Sequence, residues 1–234
     1  MRAVSVLLVV GYGPGISQAV ANRFAREGYG IALVARNLQR VEQAALELRR
    51  TGVAAAAYQA DASDPDAIRR TVAQVQQDLG PISTVLWTAF RNGGVNNVLS
   101  TAPDQIERVF DIGVAGLLTC VQAVLEDLKS EPGASILVAN GALGENTTEA
   151  DSFAKLLDND GVALENAAKS KLVGILAERL RDFGIYVGEV TVVGSVAGTA
   201  TAGPSTITPA RIADQFWRLT QTRTTTRVRI LPSS

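Results

Sequence analysis

The chain has 234 residues, of which 47% are hydrophobic, and a formal net charge of −1. This size and composition fit one α/β domain, which we assign to residues 1–234, and the absence of a basic face argues against nucleic acid and membrane surfaces as partners. The chain contains no histidine, which excludes Ser-His, Cys-His and His-metal chemistry, and we predict no metal site. The single Cys120 cannot form an internal disulfide and fits a reducing, cytoplasmic location.

The first predicted element is a buried strand that ends in a glycine-rich turn. Residues 4–17 read VSVLLVVGYGPGIS, and the apolar run without alternation predicts a strand covered on both faces of a parallel sheet. A helical pattern begins at Ile16, so unpaired N–H groups and the positive end of a helix dipole would face the turn. This arrangement predicts a site for the pyrophosphate of a dinucleotide. The candidate residues are Gly11, Tyr12, Gly13, Gly15 and Ile16.

The second predicted strand, residues 30–35, completes a β-α-β unit and is followed by Arg36 and Asn37. An NAD-binding fold carries an acidic residue at this strand end for the ribose hydroxyls. A cation with no carboxylate suits a 2′-phosphate, so we predict NADP(H) rather than NAD(H), with Arg36 and Asn37 as candidate contacts. The alternative is that Arg36 is only an exposed residue at the end of a strand.

The remaining elements alternate between helices and strands. Ser63 or Asp64 is the predicted N-cap of the third helix, whose first turn holds Pro65. This alternation predicts right-handed crossovers and a single Rossmann-type doubly wound parallel sheet with helices on both faces. After the second strand, the predicted helices are 38–50, 65–79, a long stretch within 102–128, one ending at 183 and one around 212–219. The predicted strands that follow the second are 53–58, 82–89, 134–139, 184–193 and 227–231.

These features resemble the short-chain dehydrogenase/reductase family. The family's motif G-x-x-x-G-(I/L)-G matches Gly11, Gly15 and Ile16, and Ser17 stands in place of its last glycine. The family also has an adenine-contacting aspartate after the third strand and N-N-A-G after the fourth. Residues 87–90, WTAF, stand at the latter position and keep only the alanine. The resemblance therefore implies further cofactor contacts at Asp61, Ala62, Thr88 and Ala89.

The resemblance covers essentially the whole chain and carries other expectations. The family builds its subunit interface from the helices that correspond to 102–128 and to the later long helix, which implies a homodimer or homotetramer. Its flexible lid over the substrate corresponds to 194–208, which is small and polar here, so we expect an open or small site. The segment 145–161 is longer than its counterpart in the family, and we expect an added helix at 151–157 over the substrate cleft.

Active members of the family use a catalytic tetrad. A tyrosine exchanges the proton, a lysine four residues later lowers the tyrosine pKa, a serine orients the substrate, and an asparagine holds a water relay. The resemblance places Gly113 at the asparagine position. It places Gly141, next to Asn140, at the serine position.

Two registers compete for the tyrosine and the lysine. Matching Ser170 and Lys171 to the family's S-K dipeptide retains the lysine and puts Ala167 at the tyrosine. The register without a gap puts Val162 and Asn166 at the tyrosine and lysine. We prefer the ungapped register, because a deletion inside a buried helix rotates everything upstream to another face. The tyrosine is absent under either register.

The sequence therefore predicts an NADP(H)-binding oxidoreductase with a degenerate tetrad that acts on an unidentified small molecule. Asn140, Lys169 and Lys171 are candidate substitutes in acid/base chemistry, although polar side chains at such positions are more often simply solvated. The alternative is a catalytically silent or non-redox protein, such as a lyase, a cyclase or a cofactor sensor, on the same scaffold.

Overall fold

A parallel sheet runs through the part of the chain that the structure describes, residues 5–90, 94–199 and 206–232. In this computed structural model the strands are β1 (Val6–Val10), β2 (Gly30–Ala35), β3 (Ala55–Gln59), β4 (Ile82–Trp87), β5 (Ser135–Gly141), β6 (Tyr186–Val192), a short separate pair β7 (Ser195–Val196) and β8 (Thr206–Ile207), and β9 (Arg227–Ile230). The sheet order is β3-β2-β1-β4-β5-β6-β9. The order reverses between β1 and β4, which places a ligand crevice at the carboxyl ends of these two strands.

Helices cover both faces of the sheet. They are α1 (Ile16–Arg26), α2 (Leu38–Arg50), α3 (Pro65–Leu79), α4 (Pro103–Glu107), α5 (Leu117–Ala123), α6 (Leu125–Ser130), α7 (Thr148–Leu156), α8 (Asp160–Leu180) and α9 (Pro209–Thr222). On one face α1, α2 and α9 bury Phe24 and Phe216, and on the other α3, α5 and α8 bury Leu117 and Val173. The predicted doubly wound fold is confirmed.

The long helical stretch predicted within 102–128 is interrupted. A π-helix, Asp111–Gly116, lies between α4 and α5, and Val124 separates α5 from α6. A Cβ on Gly116 would overlap Ala62 O and lie 3.2 Å from Trp87 Cη2. The loop after β3 therefore packs directly on the backbone of this segment. An uninterrupted amphipathic pattern could not reveal that contact, which joins residues far apart in the chain.

Several local predictions can be compared with the structure. Asp64, rather than Ser63, caps α3 by accepting from Asp66 N at 2.9 Å and Ala67 N at 3.0 Å. A helix is present in the segment where an added one was predicted: α7 begins three residues earlier than predicted. Its being an addition to the family's fold stays a prediction. Residues 91–93, which follow the predicted fourth strand, and 200–205 of the predicted lid lie outside the described residues. Within the described ranges, no helix combines the length and hydrophobicity needed to cross a bilayer.

Candidate cofactor and active site

The glycine turn after β1 is held by backbone contacts on both sides. The N–H groups of Gly11 and Tyr12 both donate to Val34 O, at 3.0 and 2.9 Å. Gly11 has a φ of +92°, and a Cβ at this position would lie 2.6 Å from Ala89 Cα. Only glycine permits both this conformation and this close approach. The turn therefore presents backbone, rather than side chains, to a ligand.

The turn leads into the N-terminus of α1. Gly15 is the N-cap residue, with a φ of +99°, and no side chain among the described residues caps this end. A Cβ on Gly13 would meet no described atom within 4 Å. Ser17 closes the turn, because its hydroxyl accepts from Gly13 N at 2.8 Å and donates to Gly13 O at 2.9 Å. Among the described residues, the first-turn N–H groups of α1 therefore have no side-chain cap, as an anion site at a helix N-terminus requires.

Thr199, in the described part of the predicted lid, lies close to the same helix end. A Cβ on Gly15 would be 3.2 Å from Thr199 Cγ2. The Thr199 hydroxyl donates to Val196 O at 2.7 Å, which holds the side chain beside β7. No local pattern indicated this residue, because its position depends on the chain returning to the glycine turn from the opposite end of the sequence.

The phenol of Tyr12 packs in the hydrophobic core and is not part of the glycine turn's ligand-facing surface. Its residue is 8% exposed and packs in the apolar layer of α1, α2 and α9. Burial and the nearby Glu47 raise the pKa of this phenol, and Arg40 partly opposes the rise. The phenol is therefore neutral at physiological pH, and only the Tyr12 backbone faces the turn.

The predicted 2′-phosphate contacts lie at the surface beside the N-terminus of α2. Arg36 is exposed, and its carbonyl oxygen accepts from Gln59 Nε2 at 3.0 Å. Asn37 caps α2, with Oδ1 accepting from Arg40 N at 2.9 Å. Arg40, which the sequence pattern alone did not indicate, is a second exposed arginine in the first turn of this helix. The sequence pattern that could have indicated Arg40 is a helix-capping residue, Asn37, followed three positions later by an arginine.

The other predicted cofactor residues follow strands at the same edge of the sheet. Asp61 Oδ1, after β3, accepts from Ser63 N at 2.9 Å and from Ser63 Oγ at 2.8 Å. The hydroxyl of Thr88, after β4, donates to Val10 O at 3.1 Å and to Gly11 O at 3.0 Å. Because the strands are parallel, the structure brings these loops and the glycine turn together at the carboxyl ends of β1, β3 and β4.

Two of the positions that the resemblance assigns to the tetrad, Gly113 and Gly141, have their side-chain space occupied from α8. A Cβ on Gly113 would lie 2.6 Å from Glu165 Oε1, and a Cβ on Gly141 would lie 2.8 Å from Asn166 Nδ2. An asparagine or serine could be added at these positions only if the α8 side chains moved. Glu165 and Asn166 therefore fill the space that side chains at these two predicted positions would need.

The buried face of α8 carries two opposite charges. Glu165 is 0% exposed and Lys169, one turn later, is 1% exposed. Burial lowers the pKa of the Lys169 ammonium, and the nearby carboxylates of Glu165 and Glu189 oppose that shift. Val162 is half-buried and Lys171 is exposed. Lys169, one of the predicted substitutes in acid/base chemistry, is thus buried next to Glu165. The sequence pattern did not indicate Glu165.

A polar cavity of about 310 Å³ lies between α8 and the strands β5, β6 and β9. Asn140 Nδ2 donates to Glu189 Oε1 at 2.7 Å. Glu189 Oε2 accepts from Ser170 Oγ at 3.0 Å and lies 3.3 Å from Arg227 Nε. The lining also includes Gly141, Glu145, Lys171 and Thr191. The network satisfies the buried Glu189 carboxylate and ties α8 to the sheet beside the serine position.

Known proteins share parts of this sequence and its overall fold. The model of the short chain dehydrogenase family matches residues 5–152. This chain belongs to that family. The solved structure of a blue fluorescent protein from a metagenomic library in complex with NADPH has a TM-score of 0.79 and 26% identity, and it covers 98% of this chain and 97% of that one.

Two relatives show how far the sequence similarity extends. Human 17-beta-hydroxysteroid dehydrogenase 13 is 28% identical over 145 residues, which are 61% of this chain and 47% of that protein. The 3-oxoacyl-(acyl-carrier-protein) reductase FabG of Staphylococcus aureus strain Mu50 is 26% identical over 200 residues, which are 81% of this chain and 74% of that protein. The match to the human relative spans about half of its length.

Proposed function

We propose that this chain, as one domain, is an NADP(H)-dependent oxidoreductase of the short-chain dehydrogenase family that acts on a small molecule without the family's usual tetrad. The glycine turn carries this proposal: Gly11 packs against the backbone that follows β4, a Cβ on Gly13 would meet no described atom within 4 Å, and Gly15 is the N-cap of α1. The backbone from Gly11 to Ile16 would hold the pyrophosphate, with Thr88 and Ala89 beside it and Asp61 and Ala62 toward the adenine. When bound, NADP(H) supplies hydride chemistry.

Charge at the end of β2 supports NADP(H) over NAD(H). Arg36 and Arg40 are both exposed within one turn of the α2 N-terminus, and Asn37 caps it. Guanidinium groups beside helix N–H groups suit a 2′-phosphate. The metagenomic relative was solved with NADPH.

Fluorescence titration with NADPH and NADH tests the proposal. The wild-type chain should bind NADPH more tightly than NADH, and Arg36→Glu should weaken NADPH binding by about tenfold or more, since charge-assisted phosphate contacts are worth about 1.5–3 kcal/mol. Arg50→Glu is the matched control, because Arg50 is exposed at the opposite end of the same helix. Equal affinities for the two cofactors would refute the NADP(H) preference, and no binding of either would refute the function.

The side chains that fill the space at the predicted asparagine and serine positions favour a second candidate function. Because Glu165 and Asn166 occupy the space beside Gly113 and Gly141, the same scaffold could bind the cofactor as a silent sensor or perform a non-redox lyase or cyclase step. NADPH binding without consumption across panels of carbonyls and alcohols would favour this candidate over the oxidoreductase.

We also propose that the chain forms a homodimer or homotetramer through its long helices. Leu164 and Ile175 on α8 are 37% and 47% exposed, an apolar surface that a second copy could cover. Light scattering after size-exclusion chromatography should give a multiple of 24.6 kDa. Ile175→Glu should shift that mass toward the monomer.

A further inference from the structure

The polar cavity between α8 and the strands β5, β6 and β9 is separate from the candidate cofactor site. Its volume of about 310 Å³ is that of about ten water molecules at ~30 Å³ each. Among the described residues, none of the predicted cofactor contacts lines it. The crevice for the cofactor lies between β1 and β4, in the other half of the sheet. A molecule bound in the cavity would therefore occupy a second site.

A fully paired carboxylate forms the buried wall of this cavity. Glu189 is 1% exposed, and its Oε1 accepts from Asn140 Nδ2 at 2.7 Å and from Thr191 Oγ1 at 3.3 Å. Its Oε2 accepts from Ser170 Oγ at 3.0 Å and lies 3.3 Å from Arg227 Nε. The protein itself thus satisfies the charge and the lone pairs of Glu189, so this carboxylate requires no cation from a ligand.

The second carboxylate of the lining, Glu145, is paired as well. Its Oε1 lies 2.7 Å from Arg229 Nε, and its Oε2 accepts from Arg229 Nη2 at 3.1 Å. Residues two apart on a strand share one face, so Arg227 and Arg229 both lie on the side of β9 that faces the cavity. Each of these arginines balances one glutamate.

Lys171 adds a positive charge that no carboxylate balances. It lines the cavity from α8, its side chain is exposed, and it forms no ion pair with another described residue. Arg227 is also accessible, because its side chain is 46% exposed while its Nε and Nη2 donate to Ser170 Oγ and Ser170 O at 3.1 and 2.6 Å. The cavity therefore offers an ammonium and part of a guanidinium group to an anion.

A glycine in α8 makes room for this guanidinium group. A Cβ on Gly174 would lie 2.6 Å from Arg227 Nη2. Glycine within a helix is unfavourable by itself, and here it allows the arginine to lie directly against the helix backbone. The position of Arg227 at the cavity is therefore fixed by packing as well as by hydrogen bonds.

The rest of the lining consists mainly of hydrogen-bonding groups. Asn146 contributes an exposed amide, and Gly141 and Gly144 contribute backbone. A Cβ on Gly144 would lie 2.3 Å from Ala167 N, so the loop after β5 packs directly on α8. Ala167 is the one apolar side chain among the described residues of the lining. Walls of this kind favour a hydroxylated molecule over an apolar one.

We propose that this cavity binds a small hydroxylated organic acid, with its carboxylate on Lys171 and Arg227 and its hydroxyl groups along Asn146 and Thr191. Hydrogen bonds from cationic donors to a carboxylate are stronger than those between neutral groups. A monocarboxylate suits the site, because Lys171 supplies one cation in excess of the paired charges. This inference does not depend on the proposed oxidoreductase function.

Isothermal titration calorimetry with D-gluconate tests the proposal, and D-sorbitol is the matched neutral probe. The wild-type chain should bind one gluconate per chain and should bind sorbitol about tenfold more weakly or less, because sorbitol lacks the charge-assisted contacts. Equal affinities for the two probes would overturn the role of the carboxylate. Inorganic phosphate that binds as tightly as gluconate would overturn the fit to an organic acid.

Lys171→Met tests the cation that the proposal places at the carboxylate. It should weaken gluconate binding by about tenfold or more, and Lys171→Arg should retain part of the affinity. Lys155→Met is the matched control, because Lys155 is exposed on α7 and does not line the cavity. Unchanged affinity in Lys171→Met, or an equal loss in the control, would overturn the assignment.

Ala167→Leu tests the location of the site. Leucine is a good helix former, and its larger side chain would fill part of the cavity, so gluconate binding should be lost. Thermal unfolding shows whether the variant is folded, and the Lys171 variants test the same site without adding volume. Gluconate binding at wild-type strength in folded Ala167→Leu would overturn the location.

A titration of gluconate in saturating NADPH separates this site from the proposed function. The affinity for gluconate should be unchanged, because the predicted cofactor contacts do not line the cavity. Competition between the two ligands would overturn the inference of a second site. Failure of the wild-type chain to bind NADPH would overturn the proposed function, whereas gluconate binding that depends on Lys171 would still support this inference.

Discussion

The candidate nucleotide region and the candidate catalytic region lie at the same edge of the sheet, yet backbone contacts fix the first and side chains fill the second. Around β1 and α1, Gly11 is confined by a φ of +92° and by the backbone of Ala89. Around β5 and α8, Glu165 and Asn166 occupy the space beside Gly113 and Gly141, the predicted asparagine and serine positions. A glycine that is needed for its backbone conformation can be replaced by few other residues. The space of a missing side chain, in contrast, can be filled by a side chain from a neighbouring helix.

The largest effect should come from Gly11→Ala. The added Cβ would meet the Ala89 backbone in a left-handed conformation, and we expect a loss of about 3 kcal/mol or more in the free energy of unfolding, together with loss of NADPH binding. Urea unfolding and cofactor titration measure these effects. Gly13→Ala is the control, because the described structure has no atom within 4 Å of the new Cβ. Equal losses in the two variants would show that the turn is not sterically enforced.

A smaller effect should come from restoring the family's asparagine. Gly113→Asn should lower the free energy of unfolding by about 1–3 kcal/mol, because its Cβ would overlap the Glu165 carboxyl group. Combining it with Glu165→Ala should remove much of that loss. A double-mutant cycle measured by urea unfolding gives the coupling, and additivity within about 0.5 kcal/mol would show that the two positions are independent.

Ser17 stands where the family's glycine motif has its last glycine. Ser17→Ala tests what its hydroxyl contributes to the stability of the turn and to NADPH binding. Loss of the two hydrogen bonds to Gly13 should cost about 1 kcal/mol, since an average hydrogen bond contributes about 0.5–1.5 kcal/mol. NADPH affinity should fall only modestly, because Gly11 still holds the turn. A large loss of affinity with an unchanged free energy of unfolding would mean that the hydroxyl contacts the cofactor instead.

The smallest effect should appear at high pH. Burial raises the pKa of Tyr186 to about 12, above the value of about 10 for an unfolded tyrosine. The folded state therefore holds its proton more tightly, so this stabilisation is complete below about pH 10 and is lost between about pH 10 and 12. Tyr186→Phe should flatten the fall in the free energy of unfolding across that range. Parallel curves for the two proteins would contradict the shift.

Local sequence patterns predicted much of the nucleotide region because its elements are close in the chain. The strand, turn and helix of residues 6–26 follow one another directly, and the predicted bounds of α2 and α3 agree with the structure. The family and its doubly wound sheet could be identified from the same patterns. Arg40 and Thr199 were missed, the first because its role depends on the Asn37 cap and the second because it returns from a distant segment.

The sequence by itself determined the fold and the family, because hydrophobic periodicity and glycine spacing act over short distances. The absence of the tetrad tyrosine stays a prediction. The tertiary structure alone decided which face of α8 is buried and what fills the space beside Gly113 and Gly141. Those contacts join segments about 25 to 50 residues apart, and the packing of α8 against β5, β6 and the π-helix selects them. Comparing registers along the chain favoured Val162 over Ala167 at the tyrosine position, but it could not indicate that Glu165 is buried on the same helix, because side-chain burial is a property of that packing.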